Sequence, residues 1–284
     1  MADKGAVVVT GASTGIGEAC ALRLDQLGYR VFAGIRKAAD GESLRRRASE
    51  RLVPVRLDIS DETEVGQAAG KVMAALGDGG LTGLVNDAGV VVRGMLEFLP
   101  LDALRRQLEV NVVGQIAVAQ AFLPSLRKAC GRIVNISSLS GLIASPFSGA
   151  YCASKFALEA LTDSLRMELR PWKIHVAIVE PGFIQTPLLK KTLANEEALR
   201  ARLPAEALQL YGASMRIVRE ALARESAKAP STEVVVKAVV HALAARRPRT
   251  RYVVGAHSGF QINLGRALPD RWRDALIVRH LGLK

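Results

Sequence analysis

Tyr151 and Lys155 lie four residues apart and form the pair in this sequence best suited to acid–base chemistry. They begin a segment with helical spacing, so both side chains should lie on one face of a helix. An ammonium beside a phenol favours the phenolate, which predicts a pKa of Tyr151 lowered from about 10 toward neutral pH. Such a tyrosine can donate or accept a proton at a carbonyl or an alcohol. The alternative is an exposed pair without a chemical role, but no other tyrosine has lysine at the fourth position.

Ser138 lies thirteen residues before Tyr151, at the end of a predicted strand over 132–137. Open α/β sheets bind ligands at the carboxyl ends of their strands, so its hydroxyl is placed to bond and orient a substrate oxygen. A nucleophilic role is not expected. No Gly-x-Ser-x-Gly turn surrounds the residue, and none of the four histidines is placed by sequence as its base.

A glycine-rich turn follows the first apolar run, with glycines at Gly11, Gly15 and Gly17 after Thr10. Glycines let the backbone turn sharply and approach a pyrophosphate, which amide N–H groups and a helix N-terminus then bind. The spacing is Gly-x-x-x-Gly-x-Gly, and an ordinary strand–helix turn could carry the same residues. Its position directly after the first strand favours dinucleotide binding.

The elements that position these residues alternate along the chain. Short apolar runs rich in β-branched residues alternate with longer segments of helical spacing, which predicts a parallel sheet covered on both faces. The fold class is therefore α/β, a single Rossmann-type doubly wound domain over 1–284. A helical, charged segment at about 187–230 is interpreted as a substrate lid, and about 256–284 as a C-terminal extension. The predicted strands are 6–10, 30–35, 54–57, 83–86, 132–137, 175–180 and 251–255; helices include 17–28, 61–76 and 101–129, with Ser231 or Thr232 capping another.

The charge is distributed unevenly. The net charge is +12, but residues 1–189 carry 21 basic and 19 acidic side chains, whereas residues 190–284 carry 18 and 8. Two interpretations are open for the basic C-terminal third, a solvated helical surface or peripheral contact with an anionic membrane that supplies a lipophilic substrate. Aromatic residues make up 5% of the chain, too few to favour nucleic-acid binding by base stacking.

The cysteines and the apolar runs bear on location. Cys20, Cys130 and Cys152 show neither disulfide nor metal-ligand spacing, which is typical of reduced thiols in a cytoplasmic protein. No apolar run reaches the roughly 18 residues of a transmembrane helix, and no anchor or signal peptide fits before Ala6. We therefore predict a cytoplasmic protein with no metal site and no transmembrane segment.

The order of these motifs makes the chain resemble the short-chain dehydrogenase/reductase family from about residue 5 to 190, and more loosely to 256. The motifs are, in order, Thr-Gly-x-x-x-Gly-x-Gly, Asn-x-Ala-Gly, Asn, Ser, Tyr-x-x-x-Lys and Pro-Gly. The resemblance implies Tyr151 as acid/base, Lys155 as ribose ligand, Ser138 as substrate-orienting hydroxyl and Asn111 as a fourth catalytic residue in a bent helix. It also implies a homodimer or homotetramer, formed through the helices that contain Asn111 and Tyr151. The cofactor-binding residues implied are Gly11, Ser13, Thr14, Gly15, Ile16, Gly17, Arg36, Asp58, Ile59, Asn86, Ala88, Gly89, Tyr151, Lys155, Pro181, Gly182, Ile184 and Thr186.

One residue departs from the family pattern. Asp87 stands where the family usually has asparagine, so a side chain that only accepts hydrogen bonds when ionised replaces one that also donates. Either neighbouring N–H groups satisfy the carboxylate, or the strand end near the cofactor is looser than usual.

The choice between cofactors is predicted from the end of the second strand. Ile35 stands where an NAD-specific enzyme would place an acidic residue, and Arg36 follows it. A guanidinium matches phosphate geometry, which predicts NADP(H), with Arg36 and Lys37 as readers of the 2′-phosphate. NAD(H) is the alternative, in which case both cations are solvated loop residues.

Apolar residues in the lid and after Ser138 suggest a lipophilic substrate. The length and the C-terminal strand are similar to the retinol- and hydroxysteroid-type branch, which implies oxidoreduction of a steroid-, retinoid- or fatty-like alcohol or carbonyl. A 3-oxoacyl-(acyl carrier protein) reductase is one alternative, because a basic segment could attract an acidic carrier. A non-catalytic cofactor sensor is another, against which the complete set of catalytic residues argues.

Overall fold

A single parallel sheet forms the centre of the molecule in the computed structural model, which describes residues 4–255 and 268–283. The strand order is β3-β2-β1-β4-β5-β6-β7, and every neighbouring pair is parallel. The doubly wound fold class is thereby confirmed. The seven strands are β1 Ala6–Val9, β2 Arg30–Ile35, β3 Leu52–Arg56, β4 Leu81–Asn86, β5 Arg132–Ile136, β6 His175–Pro181 and β7 Arg251–Val254.

The chain reverses its direction of winding between β1 and β4, which lie side by side at the centre of the sheet. A crevice forms at such a switch point, outside the carboxyl ends of the strands, and it is where ligands of this architecture bind. The glycine-rich turn after β1 and the segments after β4, β5 and β6 all lie at this edge. The predicted site residues are therefore brought to one side of the molecule.

Helices cover both faces of the sheet, and each face has its own apolar core. Val7 and Leu24 belong to the core beneath α1 and α9, while Phe122 and Leu84 belong to the core beneath α3 and α5. The helices are α1 Gly15–Gln26, α2 Ala38–Arg45, α3 Glu62–Leu76, α4 Leu101–Leu108, α5 Gly114–Ala129, α6 Gly149–Glu168, α7 Leu188–Arg200, α8 Ala205–Ala227, α9 Glu233–Ala244 and α10 Asp270–Leu281.

The helix expected over 101–129 is interrupted. A π-helical turn, Glu109–Val113, separates α4 from α5 and contains Asn111. A side chain at Gly114 would collide with the backbone of Ile59, so the start of α5 lies close against the segment after β3. π-Helical turns often occur at functional sites because they redirect side chains, and this one turns Asn111 into the protein interior.

The segment interpreted as a lid contains α7 and α8, and α10 packs on α8. Val218 and Ala221 of α8 are buried against Leu281 of α10. Residues 256–267 and 284 of the predicted extension, and the side chains of residues 189, 190 and 193–196, lie outside the described residues. Thr232 occupies the N-cap position of α9, without a side-chain hydrogen bond.

Candidate active site

Tyr151 and Lys155 lie in the first two turns of α6, on the face turned toward the sheet. Tyr151 is half-buried, and its phenol lies close enough to the hydroxyl of Ser138 for that group to act to lower its pKa. Lys155 is buried, with Nζ 5.9 Å from the ring centroid of Tyr151 and donating to the carbonyl oxygen of Ile136 at 2.8 Å. The structure thus brings together the three residues whose spacing predicted acid–base chemistry.

The expected lowering of the pKa of Tyr151 is wrong. Burial raises the pKa of this phenol, and the hydroxyl of Ser138 and the charge of Arg93 only partly oppose that rise. Lys155 directs its ammonium to Ile136, and its own pKa is lowered to about 8 by burial. Burial therefore has the larger effect on the pKa of Tyr151. At neutral pH this side chain is a phenol, the form that donates a proton.

Ser138 caps a 3₁₀ turn, Leu139–Gly141, directly after β5. Its Oγ accepts the N–H of Ser140 at 3.1 Å and lies 3.5 Å from the carbonyl oxygen of Pro181, to which it donates. The hydroxyl thus lies between the phenol of Tyr151 and the segment after β6. Two elements that are distant in sequence hold it facing the crevice.

Asn111 is fully buried and its amide joins two elements. Its Oδ1 accepts the N–H of Val90 at 2.9 Å, and its Nδ2 donates to the Val90 carbonyl at 3.0 Å and to Ser154 Oγ at 3.1 Å. Ser154 in turn donates to the carbonyl of Tyr151 at 2.7 Å. Asn111 therefore ties α6 to the segment after β4.

The glycine-rich turn packs tightly against the end of β4. Gly11 has φ +66°, and a Cβ there would lie 2.8 Å from Cα of Ala88. The Thr10 hydroxyl accepts the N–H groups of Asp87 and Ala88 at 3.0 and 3.1 Å. The space that side chains would occupy is filled by backbone, so the free face of this turn, with the start of α1, fits a pyrophosphate.

The segment after β6 runs beside this turn. Gly182 donates its N–H to the carbonyl of Val254 at 2.8 Å, and Ile184 packs on the core beneath α1 and α9. The side chain of Thr186 faces Gly15. This arrangement places 181–186 opposite the glycine-rich turn, as a segment enclosing a nicotinamide would be.

Some polar residues near the site were not identified from the sequence. Lys191 of α7 donates to Thr14 Oγ1 at 3.1 Å, which brings a cation from the lid onto the glycine-rich turn. Gln107 bonds Val90 and Val92, and Gln115 bonds Ala88. Asn111 and Gln115 are four residues apart, a spacing that could have indicated a shared face. No pattern in the neighbouring sequence identifies Lys191 as a residue of the site.

Arg36 and Asp58 line a cleft of about 390 Å³ beside the carboxyl ends of β2 and β3. Arg105 and Arg106 of α4 line the same cleft. Burial acts to raise the pKa of Asp58, but hydrogen bonds from Ser60 and the charges of Arg36 and Arg106 lower it overall. The cleft thus combines two carboxylates, Asp58 and Glu109, with three guanidinium groups, of which the sequence indicated only Arg36.

Asn86 and Asp87 end β4 in two different environments. Asn86 is buried and its Nδ2 donates to Asn135 Oδ1 at 3.1 Å. The carboxyl of Asp87 lies beside Gly17, whose N–H group acts to lower its pKa. Burial nonetheless raises the pKa of Asp87 to about 7, against the opposing effects of Lys155 and Gly17.

We expect Asp87→Asn to increase the free energy of unfolding relative to the parent, by an amount that grows from about pH 4 to pH 7. The raised pKa means that the folded protein retains a proton which the unfolded chain has released, so stability falls across this interval and then levels off. The neutral amide removes this loss. A rise in pKa from 3.8 to about 7, at about 1.4 kcal/mol for each pKa unit, predicts a gain of roughly 4 kcal/mol at pH 8 relative to pH 4. Urea unfolding at both pH values measures it.

Asp78→Asn is the control, since Asp78 is exposed and its variant should show no pH-dependent difference from the parent. A constant stability difference between Asp87→Asn and the parent at both pH values would contradict the raised pKa.

The described residues contain neither a metal-binding cluster nor a membrane-spanning helix. Across residues 4–255 and 268–283, no group of His, Cys, Asp and Glu side chains is arranged to hold a metal ion. In the same ranges, no helix combines the length and apolar character needed to cross a bilayer.

Comparison with known proteins agrees with this geometry. The family model for short chain dehydrogenases matches residues 5–197. Retinol dehydrogenase 5 of Mus musculus is 40% identical over 280 residues, covering 96% of this chain and 87% of the relative. The 17-beta-hydroxysteroid dehydrogenase type 6 of Bos taurus is 35% identical, with the same coverage of both chains. A short chain dehydrogenase from Burkholderia cenocepacia, solved in complex with NADP, superposes with a TM-score of 0.72 at 27% identity, covering 96% of this chain and 97% of that one.

Proposed function

The chain belongs to the short-chain dehydrogenase/reductase family, in its retinol- and hydroxysteroid-dehydrogenase-like branch, and on this basis we propose that it interconverts an alcohol and a carbonyl on a lipophilic substrate with NADP(H). The observation that carries the proposal is the position of Lys155 beside Tyr151 on one face of α6, with Nζ 5.9 Å from the ring centroid, and the glycine-rich turn across the crevice. These groups can bind an oxygen and exchange a proton with it.

The proton chemistry follows from the protonation states. In reduction Tyr151, a phenol at neutral pH, donates its proton to the carbonyl oxygen and is left as the phenolate; in oxidation the phenolate form receives the alcohol proton. Ser138 would bond the same oxygen and orient it, and Lys155 would bond ribose hydroxyls. Asn111 holds α6 against the segment after β4. The nicotinamide, when bound, supplies or accepts the hydride.

A lipophilic substrate is supported by the names of the two enzyme relatives, which refer to a retinoid and a steroid. Phe147, Met215, Val218 and Leu222 lie together between the start of α6 and α8, where they line a cavity of about 10 Å³ with Arg93 and Arg219. A space of this size holds about one water molecule, so it is not itself a substrate site.

The preference for NADP(H) is supported by Arg36, with Arg105 and Arg106 in the same cleft. A 2′-phosphate would find guanidinium groups there, whereas Asp58 is engaged with Ser60. We therefore extend the set of 2′-phosphate ligands from Arg36 to these two arginines of α4.

The remaining proposals concern assembly and membranes. Exposed apolar side chains on α4 to α6, among them Leu101 and Phe156, support a homo-oligomer through these helices. Among the described basic residues of the C-terminal third, Arg246, Arg247 and Arg249 follow α9 toward the amino edge of the sheet, whereas those of α10 lie at the lid. This division favours the solvated-surface interpretation over contact with an anionic membrane.

A screen of lipophilic alcohols and ketones with NADP(H) and NAD(H), read by nicotinamide absorbance, tests the function. We expect turnover of retinoid- or steroid-like compounds, with NADP(H) preferred at low cofactor concentration. A matched arm uses a 3-oxoacyl group on acyl carrier protein and as a free thioester. Turnover of the carrier-bound form alone would favour the acyl-carrier alternative, and turnover in no arm would favour the cofactor sensor.

A further inference from the structure

Arg251, the first residue of β7, bonds three carboxylates from two other elements. Its Nη1 donates to Glu180 of β6 at 2.6 Å and also contacts Glu159 of α6, and its Nη2 donates to Asp163 of α6 at 2.7 Å. Glu180 and Glu159 are buried, and the Arg251 side chain is 34% exposed. We call Arg251, Glu159, Glu180 and Asp163 the Arg251 cluster. This cluster joins α6, β6 and β7 at one point.

The cluster holds more negative than positive charge. Asp163 is also bonded by Arg166, but Glu159 and Glu180 share the single guanidinium of Arg251. Burial and the neighbouring charge of Glu159 raise the pKa of Glu180, although Arg251 opposes this rise. Two buried carboxylates beside one cation repel each other, which favours the protonated form of Glu180.

Each arm of the cluster lies directly behind a part of the candidate active site. Glu159 follows Lys155 by one turn of α6, and its side chain packs on Gly141 in the turn capped by Ser138. Glu180 precedes Pro181, whose carbonyl accepts the Ser138 hydroxyl. The cluster is thus one residue or one helical turn from Lys155, the Ser138 turn and the segment facing the nicotinamide.

We propose that Arg251, Glu159 and Glu180 are positioning residues that hold the Tyr151–Lys155 helix, the Ser138 turn and the Pro181–Gly182 segment in one relative arrangement. They touch neither substrate nor cofactor in this role and act through the residues they hold. The inference depends on the proposed oxidoreductase function, because the arrangement matters for proton transfer only if Tyr151 performs it. It assigns a functional reason to the C-terminal strand, which carries no other residue of the site.

A purely structural ion cluster would behave differently. Its loss would lower the free energy of unfolding and leave each folded molecule fully active. A positioning cluster affects the folded enzyme itself, because small displacements of reacting groups are costly in rate. Loss of the cluster should lower kcat more than it alters cofactor affinity, since the glycine-rich turn lies outside the cluster.

The first test compares Arg251→Met with Arg132→Met. Arg132 is also a half-buried arginine that begins a strand, and it donates to the carbonyl of Ala242 at 2.8 Å, away from the crevice. For Arg251→Met we expect kcat per folded molecule to fall about tenfold or more, with the cofactor Kd changed less than threefold. Hydrogen exchange of amides in 137–142 and 181–184 should quicken about tenfold. Arg132→Met should change neither.

The second test separates charge from shape at Glu180. Glutamine can accept from Arg251 through Oε1 and donate to Glu159 through Nε2, which reproduces the protonated carboxyl. Glu180→Gln should retain the parent kcat at pH 7 and weaken any fall in kcat between pH 7 and 9, whereas Glu180→Ala should behave like Arg251→Met. The charged groups facing Glu180 are Glu159 and, on β7, Arg251, with Asp163, Arg166 and Lys155 beyond them on α6.

The proposal would be overturned if Arg251→Met folds with parental kcat, or if its faster exchange is confined to β7 and α9. If the parent shows no oxidoreductase turnover at all, the proposed function fails, and the exchange measurements alone then decide whether the cluster holds the Ser138 turn and the 181–184 segment.

Discussion

Tyr151→Phe is expected to lower kcat/KM about 10²- to 10⁴-fold, the range associated with loss of a general acid or base. The phenylalanine ring fills the same space, so α6 and its packing should be unchanged. Only the hydroxyl that lies near Ser138 and exchanges the proton in the proposed reaction is removed. Steady-state kinetics in both directions, with cofactor binding followed by fluorescence titration, measure the effect, and the cofactor Kd should change less than about threefold.

Tyr29→Phe is the matched control for this experiment. Tyr29 is buried and directly precedes β2, at the opposite end of that strand from the crevice. Its variant should keep parental kcat/KM. Full activity of Tyr151→Phe toward a substrate that the parent turns over would refute the role of Tyr151 and, with it, the proposed mechanism.

Arg36→Ala is expected to raise the Kd for NADP(H) by about 10- to 100-fold and that for NAD(H) by less than about threefold. Hydrogen bonds to charged groups contribute about 1.5 to 3 kcal/mol, and each 1.4 kcal/mol is a factor of ten. Arg36 lines the cleft beside Asp58, where a 2′-phosphate would lie. Fluorescence titration with both reduced cofactors gives the two constants.

Arg46→Ala provides the comparison, because Arg46 is an exposed arginine at the end of α2. Its variant should bind both cofactors as the parent does. Equal losses of affinity for NAD(H) and NADP(H) in Arg36→Ala would mean that Arg36 does not read the 2′-phosphate. Comparable parental affinity for the two cofactors would return the assignment to NAD(H).

The architecture could be predicted because its signals are local. β-Branched runs separated by helical segments indicated the seven strands and their parallel pairing, whereas the strand order was seen only in the structure. The bounds shifted where apolar patterns are weakest, so β3 begins at Leu52 and β4 at Leu81 instead of two residues later. The π-helical turn at Glu109–Val113 was not visible in the periodicity, because its residues continue a helical pattern.

The candidate site likewise contains some residues that the sequence identified and others that only the structure revealed. Tyr151 and Lys155 share a helix face because 3.6 residues per turn place fourth neighbours together, and the order of motifs identified the family. Lys191, Arg105 and Arg106 were missed because they belong to helices whose charged residues look like solvated ones. Their approach to Thr14 and to the Arg36 cleft depends on how α7 and α4 pack.

The sequence by itself determined the fold class, the family and the residues that could do the chemistry, because turns and helix faces are set by neighbouring positions. Only the tertiary structure decided their electrostatics. Burial raises the pKa of Tyr151, where the spacing predicted that its lysine would lower it, and Arg251 reaches carboxylates 71 to 92 positions away in the chain. Desolvation and such distant pairings depend on what surrounds a group in space, which no linear spacing specifies.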